Sequence, residues 1–247
     1  MLDSIGTILL ITAITVILMA NAGSLSIRVG QRIWLAGVAG AWLGLAIATA
    51  AMGVFATAEA PLALLAFFAL PLAAAALLLR FSPAIRSAVF AVPMPVVIGL
   101  NVVRAGGVLF VLLAAAGRLA GPFPYVAGWG DVITGVLALP VAWLATQDQD
   151  RHRRVIWAWN AFGGLDLLVA VTLAVVSRNG SPLQLIHAGV GSSAMSYLPW
   201  SLVPTFLVPY FLISHGVVFA RLRGKPRAVA TSAKQPNTGA ISAIGGS

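Results

Sequence analysis

The chain contains no cysteine among its 247 residues, which excludes disulfides, thiolate metal sites and thiol nucleophiles. Charged side chains are also scarce, because they make up 9% of the sequence, against roughly 25% in an ordinary soluble domain. Apolar residues account for 60% of the chain, and its mean hydropathy is +0.99. This composition indicates an integral membrane protein.

Apolar runs of about 20 residues, the length that crosses a bilayer as a helix, recur seven times. A single segment satisfies its backbone polar groups in lipid only as a helix. The predicted fold class is therefore all-α, a polytopic transmembrane bundle over residues 1–223, followed by a disordered tail over 224–247 that is rich in Gly, Ser, Ala and Pro. The predicted spans are 5–21, 33–55, 61–79, 96–116, 125–146, 155–176 and 199–221.

The basic residues predict the orientation of the bundle. With the N-terminus outside, 12 of the 15 Lys and Arg residues fall on the cytoplasmic side, two outside and one within a span, which follows the positive-inside rule. The C-terminus is then cytoplasmic, and the expected location is the cell inner membrane. This distribution of basic residues explains the net charge of +9. Membrane lipids are therefore the predicted partners, and no nucleic acid partner is predicted. Residues 20–22 have the form of a signal-peptide cleavage site, but the preceding segment lacks Lys and Arg, so the first helix is expected to be retained.

Three charged residues fall well within the predicted spans: Arg104, Asp131 and Asp166. A charge at the bilayer centre costs about 2.5–3.5 kcal/mol on insertion scales, so each is expected to face the bundle interior and find a partner. From the helical rise, Arg104 and Asp166 lie at similar depths and are expected to pair, whereas Asp131 lies roughly 9 Å from the outer end of its helix. The sequence thus indicates two polar clusters, one at mid-depth and one toward the outside.

Other polar residues extend the candidate site. Asn101 precedes Arg104 by one helical turn and shares its face, and His215 is placed at a depth similar to that of Asn160. A lone His near a helix C-terminus more often satisfies the helix dipole than relays protons, so the dipole interpretation is favoured for His215. The predicted solute or proton site comprises Arg104, Asp131, Asp166, Asn101, Asn160 and His215.

Two interior prolines, Pro204 and Pro209, lie in the last predicted span. Each removes a backbone donor and is expected to bend or loosen the helix. The favoured interpretation is a kinked packing helix, and the alternative is a gating helix whose freed carbonyls face a cavity.

Two further predictions concern partners and metals. Gly40 and Gly44 form a small-residue stripe, for which packing inside the bundle is favoured over the alternative of an oligomer interface. Residues 183–190 of an outer loop are expected to form an interfacial or re-entrant segment. His187 lies in this segment, and the other histidines lie at the opposite face of the membrane, so they are not expected to share a metal ion with it. No metal, cofactor or catalytic residue is predicted.

Four stretches of the second half carry a resemblance: VVRAGGVLF, AGWGDVITGVLALPVA, NAFGGLDLLVAVTLAV and LVPTFLVPYFLISH. They resemble a group of uncharacterised small bacterial integral membrane proteins, over the fourth to seventh predicted spans only. The resemblance supplies no substrate and no reaction. It implies that the motif positions of the group are occupied here by Arg104, Asp131, Asn160, Asp166, Pro204, Pro209 and His215.

Three functional hypotheses remain. The first is a proton-linked transporter or permeation protein for a small solute, in which an Asp exchanges a proton while Arg104 holds its carboxylate or an anionic substrate. The second is a non-transporting protein that binds a ligand or lipid, or a scaffold, whose charged pair is structural. A membrane enzyme has the weakest support, because no G-x-S-x-G, H-E-x-x-H or P-loop pattern is present. Retinal chemistry is excluded, since Lys225 and Lys234 both lie in the tail.

Overall fold

The computed structural model describes residues 1–25, 28–57 and 60–224, which fold as a helical bundle. Seven helices in these ranges are long and apolar enough to cross a membrane, and the predicted all-α fold is confirmed. The predicted tail, apart from its first residue, lies outside the described residues. The helices are α1 Leu2–Ser24, α2 Val29–Ala51, α3 Ala60–Phe81, α4 Pro83–Ala91, α5 Met94–Ala115, α6 Phe123–Gln147, α7 Arg153–Val176 and α8 Val203–Arg223.

The short helix α4 is absent from the predicted spans. The Ser82 hydroxyl accepts a hydrogen bond from the Ile85 N–H at 3.3 Å, and Pro83 occupies the first turn, two features that favour a helix start. Nine residues cover only about 14 Å, less than the thickness of a bilayer. A search for runs of 20 apolar residues therefore misses this helix, although the sequence contains the Ser-Pro pattern that favours its start.

Contacts between connecting segments show which helix ends lie together. Arg118, after α5, forms a salt bridge of 2.6 Å with Asp3 at the start of α1. Arg178, after α7, donates to the Phe55 carbonyl beyond α2 at 2.6 Å. At the opposite end, Arg221 of α8 donates to the carbonyls of Val89, in the last turn of α4, and of Val92, which follows α4. Consecutive spanning helices thus alternate in direction, as a multi-span protein requires, while the side that faces the cytoplasm stays a prediction.

The two larger of the three apolar clusters in the described residues have a polar layer between them. One cluster lies toward the Asp3 end and includes Leu113 and Trp200, and the other lies toward the Arg221 end and includes Ile98. The residues of the polar layer come from α5 to α8 and are buried: Asn101, Arg104, Thr134, Asn160, Asp166 and His215.

Helix α8 begins at Val203, four residues later than predicted, with a π-helical turn over Val203–Leu207 that contains Pro204. Because Pro209 has no N–H, it cannot bond the carbonyl four residues earlier, that of Thr205. The Trp42 indole of α2 donates to this carbonyl at 3.1 Å. The carbonyl freed by Pro209 therefore forms a contact between helices instead of facing a cavity.

The small-residue stripe of α2 faces away from the bundle. A Cβ added at Gly40 or Gly44 would have open space around it, so the prediction that these glycines pack inside the bundle is wrong. The inward face of α2 is set by Trp42 and Ala46, and each lies two residues, about 200° around the helix, from one of the glycines. An oligomer through Gly40 and Gly44 remains a prediction.

Candidate intramembrane polar site

Glycines allow α5, α6 and α7 to approach closely around the site. A Cβ at Gly128 of α6 would lie 2.9 Å from the carbonyl oxygen of Gly107 in α5. A Cβ at Gly130 would collide with the carboxylate of Asp166, and one at Gly135 would collide with the backbone of α5. Small residues let helix backbones approach in this way. The polar side chains are therefore held between backbones that a larger residue would separate.

The guanidinium of Arg104 is the centre of the site. Its Nε donates to Asp131 Oδ1 at 2.7 Å, and Nη2 donates to Asp166 Oδ2 at 2.6 Å. Its Nη1 donates to the Gly163 carbonyl at 3.1 Å and lies 2.9 Å from His215 Nε2. Four of the five N–H donors of an arginine thus have protein partners. One buried side chain, 1% exposed, ties α5 to α6, α7 and α8.

The protonation of His215 follows from its partners. Arginine has only donors, so Nε2 of His215 must accept the hydrogen bond from Arg104 and carries no proton. The ring proton then lies on Nδ1, which donates to Asn160 Oδ1 at 2.8 Å, while Asn160 Nδ2 donates to the His215 carbonyl at 3.1 Å. Helix α8 continues for two more turns after His215, beyond the reach of the terminal dipole. The helix-dipole interpretation of His215 is therefore wrong, because the residue is part of the Arg104 network.

Asp131 does not form a separate outer cluster, so this prediction is also wrong. Helix α6 begins at Phe123, two residues earlier than predicted, which places Asp131 about 12 Å from its end instead of about 9 Å. Around Arg104, α5 is a 3₁₀-helix over Leu100–Gly107, which rises about 2.0 Å per residue and is stretched relative to an α-helix. The long arginine side chain reaches both carboxylates. The expected pair of Arg104 and Asp166 is therefore part of a three-residue cluster that also contains Asp131.

Asn101 lies one turn from this cluster without bonding to it. Its Nδ2 donates to the Val97 carbonyl at 3.1 Å, and its buried Oδ1 has no hydrogen-bond partner in the described chain. Three further neighbours lie at the site: the aromatic residues Phe211 and Trp159, which the sequence interpretation omitted, and Thr134, which the sequence places on the same helix face as Asp131. Phe211 lies 5.8 Å from the guanidinium carbon, and the Trp159 ring lies 5.4 Å from that of His215 and donates to the carbonyl of buried Thr134. Their spacing holds a signal, since Phe211 is one turn before His215, Trp159 adjoins Asn160, and Thr134 is one turn after Asp131.

Asp131 also borders two cavities. The larger one, of about 210 Å³, lies between α3, α7 and the π turn of α8. The smaller one, of about 70 Å³, lies between α1, α5 and α8 and reaches Arg104. Phe110, Leu167 and Val203 line both cavities together with Asp131. The Asp131 side chain is 14% exposed and that of Asp166 is 6% exposed, so Asp131 is the more accessible carboxyl group.

The charges of the cluster do not balance. One guanidinium faces two carboxyl groups, so the cluster carries a net charge of −1 when both are ionised and His215 is neutral. An uncompensated charge in a low-dielectric interior is costly, and it favours uptake of a proton or a cation. Asp131 is the group that can receive either one, because it borders the cavities. The described ranges contain no group of three or more His, Asp or Glu residues placed to hold a metal ion.

Seven apolar helices around a buried Arg–Asp layer indicate a multi-pass membrane protein. Residues 61–223 match the family DUF8737, described as a domain of unknown function, and the chain belongs to this family. The matched range runs from the start of α3 to the end of α8 and includes every residue of the polar site. No curated protein and no solved structure matches the chain. Family membership agrees with the predicted resemblance to an uncharacterised family, whereas a bacterial origin stays a prediction.

Proposed function

We propose that this protein is a small proton-linked transporter in which Asp131 takes up and releases a proton beside Arg104. The observation that carries the proposal is the sharing of one guanidinium by two carboxyl groups, of which Asp131 alone lines both cavities. Protonation of Asp131 makes the cluster neutral. Loss of the proton restores a negative charge next to a cavity that admits a replacement ion.

Arg104 acts in this proposal as the fixed counter-charge of the carboxylates. Its side chain is 1% exposed, and four of its N–H groups have protein acceptors. An anionic substrate would have to displace Asp131 or Asp166 from it. The geometry therefore favours a proton or a cation at Asp131 over an anion at Arg104.

The π turn of α8 is the proposed moving element. Val203 lines both cavities and Pro204 lines the larger one, so a change in this turn alters the wall between them. Single π turns inside helices occur frequently at functional sites. Pro204 and Pro209 weaken the backbone hydrogen bonding here, which lowers the resistance of the turn to rearrangement.

The basic residues support the proposed location in the inner membrane. Arg80, Arg153 and Arg221 lie at the end of the bundle opposite Asp3. By the positive-inside rule, these residues support our proposal that this end faces the cytoplasm.

A second candidate function, a non-transporting module that binds a ligand or acts as a scaffold, has one supporting observation. The Arg104 network joins four helices, as an architectural ion cluster would. In that case Asp131 would hold one protonation state across the physiological pH range, since its role would be to keep the helices together.

The test is a pH titration of the carboxyl groups by infrared difference spectroscopy on the protein in lipid vesicles. We expect a protonated-carboxyl band that titrates with pH in the wild type and disappears in Asp131→Asn, because that variant leaves one carboxylate for one guanidinium. Vesicles loaded with a pH-sensitive dye then report proton movement driven by gradients of amine, carboxylate and neutral solutes. A titrating band that survives in Asp131→Asn overturns the proposal, and so does a failure of every solute class to move protons.

A further inference from the structure

We infer that the larger cavity is a binding groove for an apolar organic monocation, whose ammonium group contacts Asp131 and whose apolar part packs between α3 and α7. The inference names a substrate class for the proposed transporter. It rests on the proposed function in one respect, which is that the ammonium group replaces the proton on Asp131.

The walls of the groove select an apolar molecule. Its lining includes Leu64 and Phe68 of α3 and Val171 and Ala174 of α7. Its volume of about 210 Å³ exceeds the ~150 Å³ of an apolar protein cavity that holds benzene. A single ring with a short chain therefore fits, and apolar walls with a few placed polar groups are typical of small-molecule sites.

The charge at the inner end of the groove selects a cation. Asp131 Oδ1 accepts from Arg104, whereas the hydrogen bonds of the described residues leave Asp131 Oδ2 without a donor. An ammonium group supplies up to three donors and the positive charge that the cluster lacks. A neutral molecule would leave the charge of −1 unchanged, and an anion would add to it.

Arg178 at the outer rim restricts the ligand to one charge. It lines the groove and is fixed there, because its Nη1 donates to Ser196 Oγ at 2.5 Å and its Nη2 to the Phe55 carbonyl at 2.6 Å. Burial lowers the pKa of the Arg178 guanidinium, and nearby Tyr197 partly opposes this shift, but an arginine stays protonated at neutral pH. A second ammonium group placed toward the rim would face this positive charge.

The groove opens on the surface of the bundle. Leu65 of α3 and Leu183 of the loop before α8 line it and are both more than half exposed. An apolar cation dissolved in the outer part of the membrane has direct access to this mouth, with its apolar portion against leucine side chains.

The experiment measures binding of radiolabelled phenylethylammonium to the full-length protein in lipid nanodiscs. Phenylethanol and phenylpropionate have similar size and shape but no positive charge, and they serve as competitors. We expect saturable binding, with both competitors weaker than unlabelled phenylethylammonium by at least about tenfold, or about 1.4 kcal/mol. Equal competition by phenylethanol overturns the inference, because the site would then recognise the shape of the ligand and not its charge.

A pair of tryptophan variants on α7 locates the binding. Ala170→Trp places an indole in the groove and leaves every charged residue of the site unsubstituted. Leu168→Trp adds an indole to the exposed face of the same helix and is the matched control. We expect Ala170→Trp to weaken binding by at least about tenfold and Leu168→Trp to leave it unchanged. Equal affinities of the two variants place the ligand elsewhere and overturn the inference.

The inference and the proposed function fail separately. If the Asp131 band titrates but no saturable ammonium binding occurs, the proton site stands and the substrate class is wrong. If phenylethylammonium binds to the wild type and not to Ala170→Trp, while no band titrates, the groove stands and proton exchange is wrong. When both hold, saturating phenylethylammonium removes the protonated Asp131 band at a pH where it is otherwise present.

Discussion

The N-terminal helices α1–α3 and the C-terminal helices α5–α8 are all long and apolar enough to cross a membrane, but they differ in how closely they associate. In the most apolar 18-residue stretch of each helix, buried residues make up 6% for α3 and 56% for α8. Apolar side chains gain little by exchanging lipid for another helix, so close association depends on small residues, hydrogen bonds and packing. The C-terminal helices combine these features at Arg104 and its glycines, whereas the glycines of α2 face open space.

The glycines make the same comparison at single positions. Gly40 of α2 and Gly130 of α6 both interrupt apolar helices, yet Gly40 faces open space and Gly130 touches the Asp166 carboxyl group. A glycine therefore allows two helices to approach closely where a polar group of the second helix lies opposite it. Where no such group lies opposite, the glycine only leaves the helix surface flat.

Arg104→Gln is expected to have the largest effect on stability. It leaves two buried carboxyl groups without a cation, and breaking such a cluster typically costs about 3–5 kcal/mol. Arg80→Gln at the exposed end of α3 is the matched control and should change the free energy of unfolding by less than about 0.5 kcal/mol. Reversible unfolding in mild detergent measures both, and adding Asp166→Asn to Arg104→Gln should recover much of the loss. Equal stabilities of Arg104→Gln and Arg80→Gln would show that the cluster does not hold the C-terminal helices together.

A smaller effect is expected from leucine in place of the two glycines. Gly130→Leu forces α6 and α7 apart at the Asp166 carboxyl group and should lower the free energy of unfolding by about 3 kcal/mol. Gly40→Leu meets nothing in the bundle and should stay within about 0.5 kcal/mol of the wild type. The same unfolding assay compares them. A similar loss in Gly40→Leu would mean that α2 is packed against another surface, such as a second copy of the chain.

The sequence predicts the seven spans and the partnership of Arg104 with Asp166, because both depend on distance along a helix axis. Hydropathy and the rise per residue supply that distance. The separate placement of Asp131 fails for the same reason, since a two-residue error in the start of α6 shifts its depth by about 3 Å. An arginine side chain spans such a difference, so depth alone cannot assign its partners.

Rotation of each helix about its axis is the quantity that the sequence leaves undetermined. The sequence predicts a helix-end role for His215, whose ring in fact contacts Arg104, and an interior position for Gly40, which in fact faces open space. In a soluble helix the apolar face fixes the rotation. The helices here are apolar on all sides, so only the polar contacts between them fix it.

The smallest predicted effect concerns the hydrogen bond that joins the two regions at α2. Trp42→Phe removes the donor to the Thr205 carbonyl that Pro209 leaves free, while much of the contact with Phe67, at a ring distance of 4.9 Å, remains. We expect a loss of about 1 kcal/mol and faster amide hydrogen exchange in the first turns of α8. Trp34→Phe, at an exposed position of the same helix, is the control and should change neither quantity. If both variants behave alike, the freed carbonyl needs no partner from α2, and the N-terminal helices are held to the C-terminal ones by their other contacts, such as the salt bridge between Arg118 and Asp3.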